Sequence, residues 1–315
     1  MTDEIKRGFK KKTIVKTIEN KMNAWLKSIE DEDLRKAVKK DYIVTGGAIA
    51  SMLLGDAPND YDVYMQTPEI ALKLVNYYLK KLKTNMRVSR IEAEYGDRDN
   101  IKIMIKSAGI ATSEDDNFKD YRYFEATNGE NIESYLDKES FKEKKPYTVA
   151  MISSNAISLH GDVQIIVRFV GTPEAIHKNY DYVHVTNWFT EASGLVLNQA
   201  ALESILAREL HYVGSLYPIC SMFRIKKFLN RGWTITAGEM LKISWDISKL
   251  NLDDMNVLYD QLIGVDAAYF HELISILKKQ KDKALDRSYL FEAINRVFDG
   301  EDSQTDEFHE LVDAS

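Results

Sequence analysis

A pair of glycines between an apolar strand and an apolar helix constrains this chain more than any other segment. Tyr42–Val44 is apolar, Gly46 and Gly47 follow it, and Ala48–Leu54 then has helical spacing up to Gly55. The segment predicts a strand, a tight turn and a helix. Glycines at such a turn let backbone N–H groups approach an anion at the helix start, where the helix dipole favours negative charge.

Two aspartates, Asp60 and Asp62, open the next predicted strand, which extends to Met65. Side chains two positions apart on a strand lie on the same face, so these carboxylates are expected to share divalent cations. No His/Cys cluster has zinc spacing, which favours oxygen-bound magnesium or manganese. Paired carboxylates beside a glycine turn predict nucleotidyl transfer. The alternative is a tight turn followed by two solvated aspartates.

Composition describes an ordinary soluble globular protein with one large or two medium domains. The 315 residues are 44% hydrophobic and 29% charged. No apolar run approaches the roughly 20 residues that cross a bilayer, so no membrane association is expected. The single cysteine, Cys220, forms no internal disulfide and indicates a cytoplasmic location. A net charge of −7 argues against indiscriminate coating of nucleic acid.

The order of patterns along the chain predicts an α+β fold with a mixed-sheet catalytic domain and an all-helical C-terminal domain. The first part combines an N-terminal helix that has an apolar stripe, a helix over 33–40 and a helix that opens at Pro68. Its predicted strands cover 101–106, 147–152 and 180–185, and residues 156–169 are predicted to form a hairpin that turns at Gly161. Later segments have helical stripes over 200–212, 220–231, 237–247, 253–262 and 267–279. The predicted domains are therefore residues 1–195 and residues 196–315, the second ending in an acidic tail.

The spacing of Gly46-Gly47 and Asp60-x-Asp62 resembles the signature of the DNA polymerase β-like nucleotidyltransferase superfamily. The resemblance implies that Asp60 and Asp62 are catalytic ligands of Mg²⁺ or Mn²⁺, and that Gly46 and Gly47 approach the triphosphate of an NTP. Ser51 is either a further phosphate contact or a helix residue that faces solvent.

Most members of that superfamily supply a third carboxylate from a neighbouring antiparallel strand. In this chain the corresponding hairpin strand has Gln164, which brings no charge and cannot act as a base. Asp181, at the head of the next predicted strand, is the first candidate to replace it, and Asp162 in the hairpin turn is the second. A site without a third carboxylate is the remaining alternative. His184 and Asn187 are further candidates to face the same cleft.

A basic helix in the second half resembles the helix that follows the catalytic domain in CCA-adding enzymes and bacterial poly(A) polymerases. Arg224, Lys227 and Arg231 share one face of it, and the resemblance implies nucleotide binding there. A solvated basic face is the alternative. Ala50-Ser51 stands where those enzymes have Arg-Asp after the glycines, which argues against CCA addition itself.

The whole chain is also similar to nucleotidyltransferase-like proteins of large tailed phages, which implies a viral protein in the host cytoplasm. The first hypothesis is transfer of an NMP from an NTP to a hydroxyl with release of pyrophosphate, most simply to an RNA 3′ end, with a protein or small-molecule acceptor as alternatives. The second is a toxin- or defence-like enzyme that modifies tRNA or protein. The third is a catalytically silent nucleotide- or RNA-binding module.

Overall fold

A seven-stranded mixed sheet organises the first two thirds of the chain. The computed structural model describes residues 7–82, 88–96, 101–107, 121–123, 145–152, 156–254, 257–258, 261, 291–292 and 294–295. Its strands are β1 (Tyr42–Thr45), β2 (Tyr61–Met65), β6 (Val149–Ile152), β7 (Ala156–Leu159), β8 (Val163–Ile166), β9 (Trp188–Thr190) and β10 (Gly194–Val196). The sheet order is β10-β9-β1-β2-β8-β7-β6. β2 and β8 are parallel, and the other neighbouring pairs are antiparallel.

Eight helices are described, and those of the N-terminal half pack against one face of this sheet. They are α1 (Lys11–Lys27), α2 (Glu32–Asp41), α3 (Gly47–Leu54), α4 (Pro68–Leu79), α5 (Pro173–His177), α6 (Gln199–Ala207), α7 (Pro218–Asn230) and α8 (Ala237–Ile247). A small antiparallel sheet contains β3 (Val88–Tyr95), β4 (Ile101–Ser107) and β5 (Tyr121–Tyr123), and a parallel pair contains β11 (Glu209–Leu210) and β12 (Thr234–Ile235). The observed class is α+β, as the sequence predicts.

One face of the large sheet forms the main hydrophobic core. Val44, Val63 and Ile165 project from β1, β2 and β8 and are at most 1% exposed. The apolar stripe of α1, from Ile14 to Trp25, is buried in the same cluster. The helical spacing of that stripe therefore has the packing role that the sequence predicts.

Several predicted elements are confirmed with small changes at their ends. The strands predicted at Tyr42–Val44 and 101–106 correspond to β1 and β4, and the helix predicted at 237–247 corresponds to α8. The hairpin is also confirmed, because β7 and β8 pair around a turn in which Gly161 has φ +94°. In the described part of the chain, no helix is long and apolar enough to cross a membrane.

Two predicted elements are wrong. Residues 180–185 do not form a strand; Tyr182 makes one isolated bridge to Tyr212, and Val183–Val185 is a single 3₁₀ turn. The helix predicted over 200–212 ends at Ala207, because Arg208 adopts a left-handed conformation with φ +49°. The chain then enters β11, which pairs with β12 instead of continuing the helix.

Other predictions lie partly or wholly outside the described residues. The helix at 267–279 and the acidic tail from 301 to 313 lie wholly outside, and the helix at 253–262 lies partly outside. The domain boundary near residue 195 stays a prediction. β10, the last strand of the large sheet, ends at Val196.

Candidate functional site

Polar side chains stand in a row on the face of the sheet opposite the main core. Thr45 is opposite Asp62 in the β1–β2 register, Asp62 is opposite Gln164 in β2–β8, and Gln164 is opposite Ser158 in β8–β7. Paired residues of neighbouring strands point to the same face. The strand that carries Gln164 is therefore the direct neighbour of the aspartate strand, but it is parallel to it, whereas the resemblance implies an antiparallel neighbour.

The first aspartate joins this row through Gln164. Asp60 immediately precedes β2, where the Tyr61 N–H donates to the Asp162 carbonyl at 2.8 Å and fixes the chain entering the strand. The Gln164 Nε2 donates to Asp60 Oδ2 at 2.8 Å. Gln164 is thus in register with Asp62 and hydrogen-bonded to Asp60, and the two aspartates lie on the same side of the sheet, as the sequence predicts.

The glycine turn contacts the same aspartates, and its two glycines differ. Gly46 has φ +92° and ψ −153°, a conformation that is nearly exclusive to glycine. A Cβ on Gly46 would lie 2.8 Å from Asp62 Oδ2, and the Gly46 N–H already donates to the Val185 carbonyl at 3.2 Å. Gly46 is therefore required by the fold and by the close approach of Asp62.

Gly47 has different surroundings. It is the first residue of α3, and a Cβ built on it would meet no atom within 4 Å. The fold leaves open space at this helix start, where free N–H groups attract an anion. Ser51, one helical turn further on the same face, is partly exposed. Gly47 is therefore better placed than Gly46 for backbone contact with a phosphate.

Next to Asp62 lies a set of hydroxyl and imidazole groups that the sequence analysis missed. The Thr45 Oγ1 donates to the Asn187 carbonyl at 2.8 Å and lies 2.9 Å from His177 Nε2. Since the single hydroxyl hydrogen goes to the carbonyl, the imidazole donates from Nε2 to Thr45. Burial lowers the pKa of His177 to about 4, which the charge of Glu174 only partly opposes, so the ring is neutral at pH 7.

A pair of tyrosines extends this set. The Tyr180 hydroxyl donates to the Tyr64 hydroxyl at 3.0 Å, and Tyr180 also interacts with the Thr45 hydroxyl. Burial is the main cause that raises the pKa of both phenols, and the charge of Asp62 raises both further. Both phenols are therefore neutral at pH 7. Scattered Thr, His and Tyr residues give no sequence motif, and they meet only because the end of α5 and the segment after it lie beside β1 and β2 in the fold.

The two candidates for a third carboxylate have partners elsewhere. Asp181 is 8% exposed and forms an ion pair with Arg224 of α7 at 2.5 Å. Asp162 lies in the hairpin turn with φ +60° and pairs with Lys21 at 3.0 Å. The structure thus brings together Asp181 and Arg224, two predicted site residues, in a contact that the sequence does not predict.

Helix α7 packs along the segment that contains Asp181. The Tyr182 hydroxyl donates to the Ser221 carbonyl at 2.7 Å, and the guanidinium of Arg168 lies 4.0 Å from the ring centre of Tyr217, which precedes the helix. Lys227 and Arg231, the other two predicted nucleotide contacts on this helix, are exposed. Their role in nucleotide binding stays a prediction.

His184 and Asn187 do not face an open cleft. His184 is 2% exposed, and its ring centre lies 4.5 Å from that of Trp233 and 4.8 Å from that of Phe228. Burial lowers the pKa of His184 to about 4, against the opposing charge of Asp181. The Asn187 side chain is fully buried, and its Oδ1 accepts from the Asn198 N–H at 2.9 Å. Both residues are packing residues beside the site.

The donor set fits a hard divalent cation that takes some of its ligands from a substrate. Within the described ranges, no three His, Cys, Asp or Glu side chains gather to hold a metal ion. Asp60 and Asp62 supply two carboxylates on one face, and Gln164 binds one of them. Magnesium is commonly held by one or two carboxylates together with water and substrate phosphates. The residues present therefore fit Mg²⁺ or Mn²⁺ in the presence of a nucleotide.

Comparison with known proteins gives one family and a group of distant structures. Residues 16–208 match the model of a family described as "Gabija anti-defense 2 family protein". No match was found among curated protein sequences.

The solved structures that are similar to this chain include CCA-adding enzymes. One from Thermotoga maritima, complexed with tRNA, is 11% identical with a TM-score of 0.39, over 93% of this chain and 68% of that chain. One from Bacillus stearothermophilus, in complex with CTP, is 13% identical with a TM-score of 0.37, and the match covers 82% of this chain and 52% of that chain. A CCA-adding enzyme with ATP is 13% identical with a TM-score of 0.42, and the match covers 94% of this chain and 65% of that chain. At this level of similarity, these structures assign neither activity nor substrate to the chain.

Proposed function

Because the chain belongs to the Gabija anti-defense 2 family, we propose that it is a metal-dependent nucleotidyltransferase whose activity serves an anti-defence role. It transfers an NMP from an NTP to a hydroxyl acceptor, and pyrophosphate is released. An RNA 3′ end is the first acceptor we propose, and a protein hydroxyl is the second.

The observation that carries this proposal is the contact between the glycine turn and the aspartate pair. A Cβ at Gly46 would lie 2.8 Å from Asp62 Oδ2, so the turn and the carboxylate approach as closely as a glycine allows. Gly47, the next residue, is the first residue of α3, and a Cβ built on it would meet no atom within 4 Å. In this proposal the aspartate pair binds the cation and the start of α3 binds the polyphosphate, and their proximity supports NMP transfer, which needs the two sites to be adjacent.

The residues of the chain have separate tasks in this proposal. Asp60 and Asp62 hold the cation, which supplies charge neutralisation for the phosphates and activation of the acceptor hydroxyl when bound. Gln164 donates to Asp60 and fixes its orientation. The N–H groups at the start of α3 bind phosphate oxygens, and the exposed cations Lys227 and Arg231 are proposed contacts for nucleotide or RNA.

Gln164 also favours a second candidate function, a nucleotide-binding module without transfer activity. Its amide stands in the strand beside the aspartates, where the superfamily resemblance implies a carboxylate. Asp181, which we predict to be a catalytic substitute, is held by Arg224. A site with two carboxylates binds a metal-nucleotide complex but has no evident base for the acceptor hydroxyl.

Incubation with labelled nucleotides distinguishes the two functions. The protein is incubated with each of the four NTPs labelled in the α-phosphate, with Mg²⁺ or Mn²⁺, and with total cellular RNA and protein. Metal-dependent label in RNA or protein, absent for the Asp60→Asn/Asp62→Asn variant, is the expected result for the enzyme. Metal-dependent binding of NTP without label transfer identifies the binding module. Absence of both contradicts the proposal.

A further inference from the structure

The accessible side of β8 continues past the end of the strand. Gln164, Ile166 and Arg168 are alternate positions, and each is partly exposed. The residues between them, Ile165 and Val167, are 1% exposed and belong to the main core. Alternate residues of an extended chain lie on the same face. Arg168 therefore ends a strip of accessible side chains that begins at Gln164, beside the aspartate pair.

The Arg168 guanidinium is held by aromatic rings. It lies 4.0 Å from the ring centre of Tyr217 and 5.6 Å from that of Phe169. Contact through the flat face of a guanidinium leaves the N–H donors at its edge available. Among the residues that the structure describes, no carboxylate pairs with Arg168 and no hydrogen bond satisfies these donors. Because a partly buried cation without a counter-charge is costly, this arrangement indicates an anionic ligand.

Arg168 and the glycine turn lie on opposite sides of Asp62 along the strands. Thr45, which precedes the turn, is opposite Asp62, and Asp62 is opposite Gln164. Since β1 is antiparallel to β2 and β8 is parallel to it, the chain of β8 leads away from the turn. Arg168 follows Gln164 by four positions, so its backbone lies about 13 Å further from the turn.

This placement separates the two substrates of an NMP transfer. In phosphoryl transfer the attacking and leaving oxygens are roughly in line, on opposite sides of the phosphorus. When the pyrophosphate leaves at the start of α3, the acceptor hydroxyl approaches from the side of Arg168. The anion that Arg168 binds therefore belongs to the acceptor rather than to the triphosphate.

We propose that Arg168 binds a backbone phosphate of a single-stranded RNA acceptor whose 3′ hydroxyl lies at the aspartate pair. The inference rests on the proposed function and assigns its acceptor class, because an unmodified protein hydroxyl brings no phosphate to Arg168. A guanidinium binds a phosphate through two parallel N–H donors. Contacts of this kind fix the position of a nucleic acid strand without reading its sequence.

The test compares two arginine variants. Arg168→Gln removes the proposed phosphate contact. Arg35→Gln removes a guanidinium from α2, which packs against the core face of the sheet and whose Arg35 Nη1 donates to the Ile29 carbonyl. Binding of a short single-stranded RNA with a free 3′ hydroxyl is measured by fluorescence anisotropy at several salt concentrations with Mg²⁺. The melting temperature reports the fold.

We expect Arg168→Gln to weaken RNA binding about tenfold at low salt. The slope of the logarithm of the binding constant against that of the salt concentration should become less steep by about 0.7, the share of one phosphate contact with a single strand. Arg35→Gln should leave both quantities unchanged. Arg168→Lys should keep the slope, because the charge remains, and recover part of the affinity. A merely structural role of Arg168 would change the melting temperature but not the slope.

Equal RNA affinity and salt dependence in Arg168→Gln and the wild type overturn the inference. An equal loss of Mg²⁺-NTP affinity in Arg168→Gln also overturns it, because Arg168 would then bind the nucleotide. A wild-type protein that binds Mg²⁺-NTP but no RNA overturns it as well and favours a protein acceptor. Failure of the wild type to bind any NTP with Mg²⁺ overturns the proposed function itself, so the two failures are distinguishable.

Discussion

On one face of β1, β2 and β8, Val44, Val63 and Ile165 are almost fully buried and pack against helices. On the other face of the same strands, Thr45, Asp62 and Gln164 stand in a polar row. At these positions, strand alternation places a core residue and a polar residue next to each other. From this comparison we expect that substitutions at adjacent positions of one strand affect stability and ligand binding separately. Mutagenesis can test this residue by residue.

The sharpest contrast is between Ile165 and its neighbour Gln164. Ile165→Ala removes a side chain that is 1% exposed and should lower the free energy of unfolding by about 2–5 kcal/mol. Gln164→Ala changes the other face and should cost much less stability, while it weakens metal-nucleotide binding. Urea denaturation and nucleotide titration of both variants check this. Similar stability losses in the two variants would show that the faces are not separable.

The glycine turn offers a second contrast. Gly46→Ala should cost about 2 kcal/mol or more, because its backbone conformation is strained for alanine and its Cβ meets Asp62. Gly47→Ala should fold normally, since nothing lies within 4 Å of the added Cβ. Gly47→Val should then weaken NTP binding in a folded protein. Melting temperatures and NTP affinities are the measurements, and a normal melting temperature for Gly46→Ala contradicts the geometry.

Acid sensitivity should arise at His184, which is 2% exposed and packs against Phe228 and Trp233 beside the site. The pKa of His184 is about 4 in the folded chain and about 6.5 when unfolded. Below pH 6.5 the unfolded state binds a proton that the folded state does not, so stability is full above pH 6.5 and falls towards pH 4. His184 alone should remove about 2 kcal/mol between pH 7 and 5. Denaturation at both pH values should show a smaller loss in His184→Phe, and an unchanged loss contradicts the assignment.

The smallest expected change in stability comes from a negative charge introduced at position 164. Gln164→Glu replaces the donor to Asp60 with a second carboxylate at hydrogen-bond distance. Without metal, this variant should lose about 1 kcal/mol of stability, and Mg²⁺ should restore it. Thermal denaturation with Mg²⁺ and with a chelator tests this. If Gln164→Glu also raises NMP transfer, the natural site is specialised for binding; if it lowers transfer, Gln164 belongs to an active site.

Local patterns in the sequence predicted the elements with strong internal signals. The glycine turn, the aspartate alternation, the α1 stripe and the hairpin at Gly161 all depend on residues close in sequence. The group of Thr45, His177 and Tyr180 could not be predicted in this way, because its members are up to 135 positions apart and come from a strand, the end of α5 and the segment after it. The strand expected at 180–185 failed because the packing of Tyr182 and His184 against α7 and Trp233 replaces a strand partner.

The central claim is that the polar face binds a nucleotide together with a divalent cation through Asp62. Calorimetric titration of the four NTPs, with Mg²⁺ or with a chelator, into the wild type and the Asp62→Asn variant tests it most directly. We predict that the wild type binds at least one NTP only with Mg²⁺, and that Asp62→Asn loses this binding while its melting temperature is unchanged. Binding that is equal in the two proteins, or that does not need Mg²⁺, would contradict the claim.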